Sequence, residues 1–425
     1  MLSASKGLYL SLRHSFVNWS HNGEIIHETV LPGVVIESDS TQDNRIISFL
    51  AVSPKDALLA AVDNTKQMYL YSRKDHQWSL FAQLKIHKQV SYLFFTPSER
   101  SLVIGDKSGD VYRLPVGEER PISETDLTCL CGHLSILSHL AISDDEVFLA
   151  SCDRDEKIRI SRFPQAYIIQ SFCLGHTSFV SQLGFIPNSR YLVSAGGDGD
   201  LKVWNCITGQ CLSTHHIVAD ELPSPAVSEF DFNSEAVVSR LYFARNDVIV
   251  CSFLSHPVLL AFHLCVENDE NVYWGSKSFT STPDNLPLID MVLTCCNNVE
   301  ENDNSIANSL IVGLCSTPAG GVGLFSWRLT MQYNACDKLY SLKWEDFQRI
   351  NCISEDILSR VPVPSPRTEL LKLFFKCKDN DSMIQAYEEN KKLHHENVTQ
   401  RHLRSQKMRK LNKASQNNVD KEISV

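Results

Sequence analysis

Phe185 to Asn205 reads FIPNSRYLVSAGGDGDLKVWN, and the order of residue types in it decides the fold. An apolar start breaks at a turn carrying Pro187, and a second apolar run follows. Gly196 to Gly199 then makes a tight polar turn, and an alternating segment ends at Trp204. Short apolar runs separated by turn residues are the pattern of antiparallel strands. The same order recurs upstream in AVSPKDALLAAVDNTKQMYLYSR from Ala51, FFTPSERSLVIGDKSGDVYRL from Phe94 and AISDDEVFLASCDRDEKIRIS from Ala141. Thr65, Ser108, Asp155 and Asp198 hold one place in the tight turn, at intervals of 43, 47 and 43 residues. A repeat of about 40 to 45 residues built from short strands is the mark of a propeller blade.

The later copies also carry Gly132-His133 and Gly175-His176, 43 residues apart. These residues resemble the WD repeat, with its Gly-His pair, turn Asp and closing Trp-Asp. His176, Ser194, Asp198 and Trp204 match that pattern, and Asn205 replaces the final Asp; the preceding copy keeps His133, Ser151 and Asp155 but has Ser161 where Trp would stand. A buried imidazole held between a carboxylate and a hydroxyl leaves no orphan donor inside a blade, and the indole N–H of Trp204 extends the chain of bonds. A Ser/His/Asp set also invites a hydrolase reading through His176 and Ser194. No Gly-x-Ser-x-Gly elbow is present, however, and the set recurs with the blade period, which packing requires and catalysis does not.

Counting outward, Gly7 to Ile36 supplies strands for one further blade, and two more fit between Ala236 and Leu329. The expectation is an all-β, seven-bladed WD40 propeller over residues 1–336. Residues 337–389 read as an extension that closes the ring or packs on it, and 390–425 as a basic tail, helical or disordered. From Asn390 to Lys413 the chain has Lys391, Lys392, Arg401, Arg404, Lys407, Arg409, Lys410 and Lys413 against the single acid Glu396, a net of +7. The whole chain carries 50 Asp and Glu against 40 Lys and Arg, a net charge of −10, so the remainder sums to −17. An acidic body with a basic arm suits a scaffold that docks a protein with its body and reaches a polyanion such as RNA with its tail.

The 425 residues are 43% hydrophobic with mean hydropathy −0.15, and no stretch approaches the roughly 18 apolar residues of a membrane helix. Lys6, Arg13 and His14 interrupt the first twenty residues, so these read as part of the fold rather than as a signal peptide. Fourteen cysteines contain no Cys-x-x-Cys pair; Cys129 with Cys131 and Cys295 with Cys296 are spaced too tightly for one zinc corner. They read as small buried hydrophobes of a reducing compartment, with no metal expected.

Three strings are less generic than the repeat: GDKSGDVYRL (Gly105 to Leu114), GHLSILSHLAIS with SCDRDEKIRIS (Gly132 to Ser143, Ser151 to Ser161) and SFCLGHTSFVSQL (Ser171 to Leu183). Together they closely resemble the WD-repeat, non-catalytic subunit of the eukaryotic tRNA (guanine-N7)-methyltransferase, the Wuho or Trm82-like family. The resemblance implies a heterodimer in which the partner binds S-adenosylmethionine and methylates the variable-loop guanine of tRNA. This chain, with no cofactor of its own, would hold the partner and brace the tRNA, in the nucleus or also the cytoplasm. It further implies contacts to the catalytic subunit from Lys107, Asp155 and Arg159. By repeat alignment Asp155 is equally the turn acid that would bond His133. Lys107 lies in a Gly-flanked turn where packing needs no cation, and Arg159 alternates with Ile158 and Ile160 on a strand. Such cations pair with acidic groups of a partner. Gly196-Gly197 and Gly320-Gly321 lie between expected antiparallel strands, so no methyltransferase cofactor turn is present and the chain reads as a non-enzyme. The alternative is a substrate receptor of a cullin-type ubiquitin ligase or another propeller scaffold. Many such receptors carry Trp-Asp-x-Arg, where this chain has Trp204-Asn205-Cys206-Ile207.

Overall fold

The second strand of the repeat is buried along its whole length in Leu58–Asp63, Ser101–Asp106, Phe148–Asp153, Tyr191–Gly196 and Val248–Phe253. That is why these segments read as continuous apolar runs rather than alternating ones: each is covered by a neighbouring sheet on both faces. The computed structural model describes residues 2–361 apart from 5–7, 20–24, 33–43, 76, 118–120, 219–221, 223–235, 255, 268–270, 295–305, 318–320, 335–338, 346 and 351–354. Within them the chain makes seven antiparallel sheets, each a meander of four successive strands, the last with a short fifth strand beside the third. These blades span residues 2–30, 47–85, 90–132, 137–173, 180–216, 238–281 and 288–349. Their first strands lie against one another all the way round, including Leu2–Ala4 against Leu288–Thr294, so the ring is closed. Seven antiparallel sheets in a closed ring bear out the all-β, seven-bladed reading.

Blade one is built wholly from the first 30 residues and blade seven wholly from residues after 287, so no sheet is shared across the seam. Closure therefore rests on side chains. Leu8, Leu10, Leu12 and Val17 of blade one pack with Val292, Val312, Leu314 and Leu324 of blade seven, and Leu358 and Val361 complete the cluster. Arg360 forks onto Glu28 (2.9 and 3.2 Å) while its carbonyl accepts from Arg13 N (3.1 Å). Burial alone would raise the Glu28 carboxyl; the hydrogen bonds from Arg360 and Ser15 hold it below its ordinary range.

A division after residue 336 cuts the seventh sheet, because Leu339–Trp344 is its outer strand and Gln348–Arg349 pairs with Val322–Asn334. The chain divides instead into the units Met1–Lys372 and Leu373–Val425, and every described residue belongs to the first.

Around the channel, buried polar groups join successive inner strands. Tyr92 stacks on His139 (4.0 Å between centroids), and His139 Nδ1 accepts from Leu183 N (3.3 Å). Gln182 donates to the Ser239 carbonyl. Arg240 Nε donates to Asp290 Oδ1 (2.7 Å), and Leu2 N donates to Asp290 Oδ2 (2.9 Å), so one carboxylate ties blades six, seven and one.

Candidate docking surface

In an antiparallel meander, the turn between the second and third strands emerges at the same end as the loop into the next blade. In blade five that end is organised by His176. Its Nε2 pairs with Ser194 Oγ (2.7 Å), its Nδ1 lies 3.0 Å from both oxygens of Asp198, and Trp204 Nε1 donates to Ser194 Oγ (2.7 Å). Burial would raise the Asp198 carboxyl, but the bond from His176 and those from Thr177 N and Asp200 N hold it down. Ser194 is fully buried with its hydroxyl taken by two partners, so the set is a packing network and not a nucleophile with its base.

Blade four differs from the sequence reading. His133 Nε2 pairs with Ser151 Oγ (2.7 Å) as expected, but Nδ1 meets Asp153 Oδ2 (2.9 Å), not Asp155. The reason is the residue standing two places before the turn acid. Blade five has Gly196 there, and a Cβ on it would run into Asp198 and His176, so Asp198 reaches the imidazole through the gap. Blade four fills that gap with Asp153 itself, which also accepts from Asp155 N (2.9 Å). Asp155 is thereby displaced from the network to a half-buried place in the turn. Asp63 and Asp106 occupy the same register and cap their own turns, Asp63 onto Thr65 N and Gln67 N, Asp106 onto Ser108 N and Asp110 N. Three acids 43 and 47 residues apart were the signal for Asp153 that attention to the turn centre passed over.

Asp153→Ala is expected to cost about 2–3 kcal/mol by leaving His133 without its acceptor, and Asp155→Ala less than half of that. Urea unfolding of the two variants checks this; equal losses would return Asp155 to the network.

The His133 network fixes a patch where blades three and four meet. His133 N donates to Gly109 O (2.8 Å) and so holds the Lys107 turn; the adjacent Gly132 O accepts from Arg159 Nη1 (3.1 Å). Only glycine fits at 109, because φ is +96° and a Cβ would lie 2.6 Å from the carbonyl oxygens of His133 and Ser135. Lys107 is exposed, and among the described residues no acceptor is bonded to its ammonium. Arg159 is half exposed and crosses to blade three through its bond to Gly132 O. Burial pushes the Cys131 thiol up, with Arg159 beside it working the other way. Arg159 Nε and Nη2 are shielded and have no acceptor among the described residues, an arrangement that costs about 1–3 kcal/mol.

Exposed apolar side chains stand on the strands and loops that carry Arg159 and His133. Phe172 is the cross-strand partner of Arg159 and is 47% exposed, while Leu134 and Leu174 are 47% and 64% exposed. Cations together with exposed aromatic and aliphatic anchors are the composition of a protein-docking surface. Sequence reasoning quoted the strings holding Leu134, Phe172 and Leu174 but did not single them out, since which of their apolar residues face solvent depends on the strand register. The tail cations Lys391, Lys392, Arg401, Arg404, Lys407, Arg409, Lys410 and Lys413 lie outside the described residues. Among the described residues no group of His, Cys, Asp or Glu could hold a metal ion, and no helix is long and apolar enough to cross a membrane.

Residues 117–277 match the family model described as the tRNA methyltransferase TRM82 WD40 domain. The chain is 32% identical over 230 residues to the tRNA (guanine-N(7)-)-methyltransferase non-catalytic subunit WDR4 of Homo sapiens, covering 53% of each. It is 36% identical over 211 residues to the Danio rerio protein of that name, covering 49% of this chain and 47% of the other. To the non-catalytic subunit wuho of Drosophila melanogaster it is 36% identical over 180 residues, covering 42% and 40%. The chain thus spans about half the length of the curated relatives it matches. A chain of "Crystal Structure of Mitotic Checkpoint Complex" superposes with a TM-score of 0.53 at 14% identity over 81% of this chain and 86% of that one, a likeness of fold alone. The resemblance drawn from three short strings therefore holds: residues 117–277 are similar to the WD40 domain of the tRNA methyltransferase TRM82, and about half of the chain is similar to the non-catalytic subunits of tRNA (guanine-N7)-methyltransferases.

Proposed function

We propose that the chain is the non-catalytic subunit of a tRNA (guanine-N7)-methyltransferase, holding the catalytic subunit at the junction of blades three and four while that partner carries S-adenosylmethionine and transfers the methyl group to the variable-loop guanine. The observation that carries this reading is the patch itself. The cations that the family resemblance assigns to docking, Lys107 and Arg159, are joined through the consecutive residues Gly132 and His133, with exposed Phe172 opposite Arg159 and exposed Leu134 and Leu174 on the adjoining loops. Carboxylates on a partner helix would pair with the ammonium and give the guanidinium a second acceptor, while the apolar anchors supply the desolvated centre. Asp155, whose place beside His133 is taken by Asp153, is the third residue that the resemblance assigns to the same partner. The nucleus, or nucleus and cytoplasm, is where such a complex would act.

Reconstitution tests the proposal. N7-guanine methylation of a tRNA transcript by the catalytic subunit should rise at least tenfold when this chain is added. Equal rates and equal tRNA affinity with and without it would remove the function.

A further inference from the structure

We propose that residues 350–361 are a latch that closes the ring, and that its release opens the propeller at the seam of blades seven and one while blades two to five stay joined. Blades one to seven follow one another in sequence, so the chain itself bridges every junction between neighbours but the last. Blade seven meets blade one without such a bridge, except where the chain runs on past its final strand. That run is anchored at both ends. Gln348–Arg349 pairs with Val322–Asn334, and Ile350 N donates to Leu324 O (2.9 Å), which fixes its start on blade seven. The short helix Glu355–Ser359 follows, and Arg360 N and Val361 N donate back to Ile357 O and Leu358 O (both 3.1 Å). Its end lies on blade one, where Arg360 grips both oxygens of Glu28 in the outer strand Ile25–Val30 and its carbonyl accepts from Arg13 N. Ser15 Oγ holds the same carboxylate from the other side (2.6 Å). Arg13 O in turn accepts from Ile47 N (2.9 Å), so the latch is wired through blade one to the first strand of blade two.

Two features confine the opening to this seam. First, blades two to five are belted by bonds from a turn carboxylate of one blade to a turn N–H of the next. Glu99 accepts from Lys55 N (2.5 Å), Glu146 from Ser98 N (2.5 Å) and Asp144 from Asn188 N (2.9 Å). These turns lie between the first and second strands, at the end of the ring opposite the Lys107 turn. Second, the seam has an inner and an outer fastening of unequal kind. The inner one, Arg240 with Asp290 and Leu2 N, is buried, with side chains 8% and 2% exposed. The outer one, Arg360 with Glu28, is 32% and 29% exposed, so water competes for it and it gives way first. Once it does, Leu358 and Val361 are free to leave the cluster that joins Leu8 and Leu10 to Val312 and Leu314. The junction of blades three and four sits inside the belted arc, so the Arg159 bond to Gly132 and the Lys107 turn outlast the opening. Opening of one contiguous part of a fold below its global unfolding energy is a general property of domains; here the chain path and the exposed clasp say which part.

Amide hydrogen exchange on the full chain tests the latch, independently of any partner. In Arg360→Ala, exchange in Leu8–Ser11, Ser15–Trp19 and Ile306–Ser316 should quicken about tenfold, the loss of a charge-assisted two-bond pair. Exchange in Ser101–Asp106, Phe148–Asp153 and Tyr191–Gly196 should stay within about twofold of the parent. Unchanged rates at the seam would overturn the latch. Equal acceleration in all seven blades would also overturn it, since the segment would then support the ring as one cooperative unit. The exchanged pair Glu28→Arg/Arg360→Glu keeps the clasp with its charges reversed and should bring the seam rates back toward the parent's. Rates as fast as those of Arg360→Ala in that double variant would show that the pair is not the fastening.

Discussion

Replacing Asp290 by Ala is expected to destabilise the propeller by about 3–5 kcal/mol, a large share of the roughly 5–15 kcal/mol that holds a domain folded. Asp290 and Arg240 are both buried at the channel wall, and the pair is 2.7 Å apart. Removing the carboxylate strands a buried guanidinium and also frees Leu2 N, which anchors the first strand to the last blade. Because the ring shares no sheet across that seam, the loss falls where closure is weakest. The double change Arg240→Met/Asp290→Leu should recover most of the stability, since apolar residues of similar volume pay no desolvation for charge. Urea unfolding of the single and double variants decides; a single variant within 1 kcal/mol of the parent would mean the pair contributes little to closure.

The same carboxylate sets a pH dependence. Burial opposes its charge, but Arg240 and the Leu2 N–H more than compensate and hold the Asp290 carboxyl below the usual carboxylate range. Asp198 and Glu28 are shifted in the same direction. When the folded state binds protons less readily than the unfolded chain, the stabilisation is complete above the unfolded pKa near 4 and is lost as pH falls through the lower folded value. Acid unfolding should therefore steepen below about pH 4, and the double variant should show a shallower slope there than the parent.

A feature of this fold is legible in the sequence when the residues that set it are near neighbours in the chain. Strand, turn and repeat phase were legible because each blade obeys local rules: an apolar run, a turn with Pro or Asp, a second run, a tight polar turn. The last blade was legible only in part. Its outer strand, Leu339–Trp344, reads LYSLKW, apolar residues interrupted by Ser341 and Lys343, because outer strands face solvent on one side and lose the apolar run that marks inner ones. The His176 set could be read from spacing because blade five keeps glycine at 196. Asp155 could not, because the choice between two acids in one turn depends on which fills the space beside the imidazole, and that is a matter of three-dimensional packing. The charge count was blind to placement in the same way: Asp63, Asp106 and Asp153, which the sequence counts among its acids, are buried and cap their own turns.

Reversing Lys107 and Arg159 to Glu together is expected to abolish co-purification with the catalytic subunit, a loss of at least 100-fold, but the two changes should act by different routes. Lys107→Glu alters an exposed side chain on a turn whose backbone bonds are untouched, so its melt should match the parent within about 0.5 kcal/mol while affinity falls through repulsion of the partner's acids. Arg159→Glu removes the donor to Gly132 O and sets a carboxylate against that carbonyl, so it should also cost about 1–2 kcal/mol of stability. Arg159→Lys separates the two effects. A lysine keeps charge and can reach the carbonyl, but lacks the planar fork whose second edge has no acceptor among the described residues. If the guanidinium serves only to staple blade four to blade three, Arg159→Lys should bind the partner like the parent. If it docks the partner's carboxylate, stability should stay near the parent's while affinity drops about tenfold. A parent-like affinity for Arg159→Lys together with retained binding by Lys107→Glu would move the docking site away from the blade three and four junction altogether.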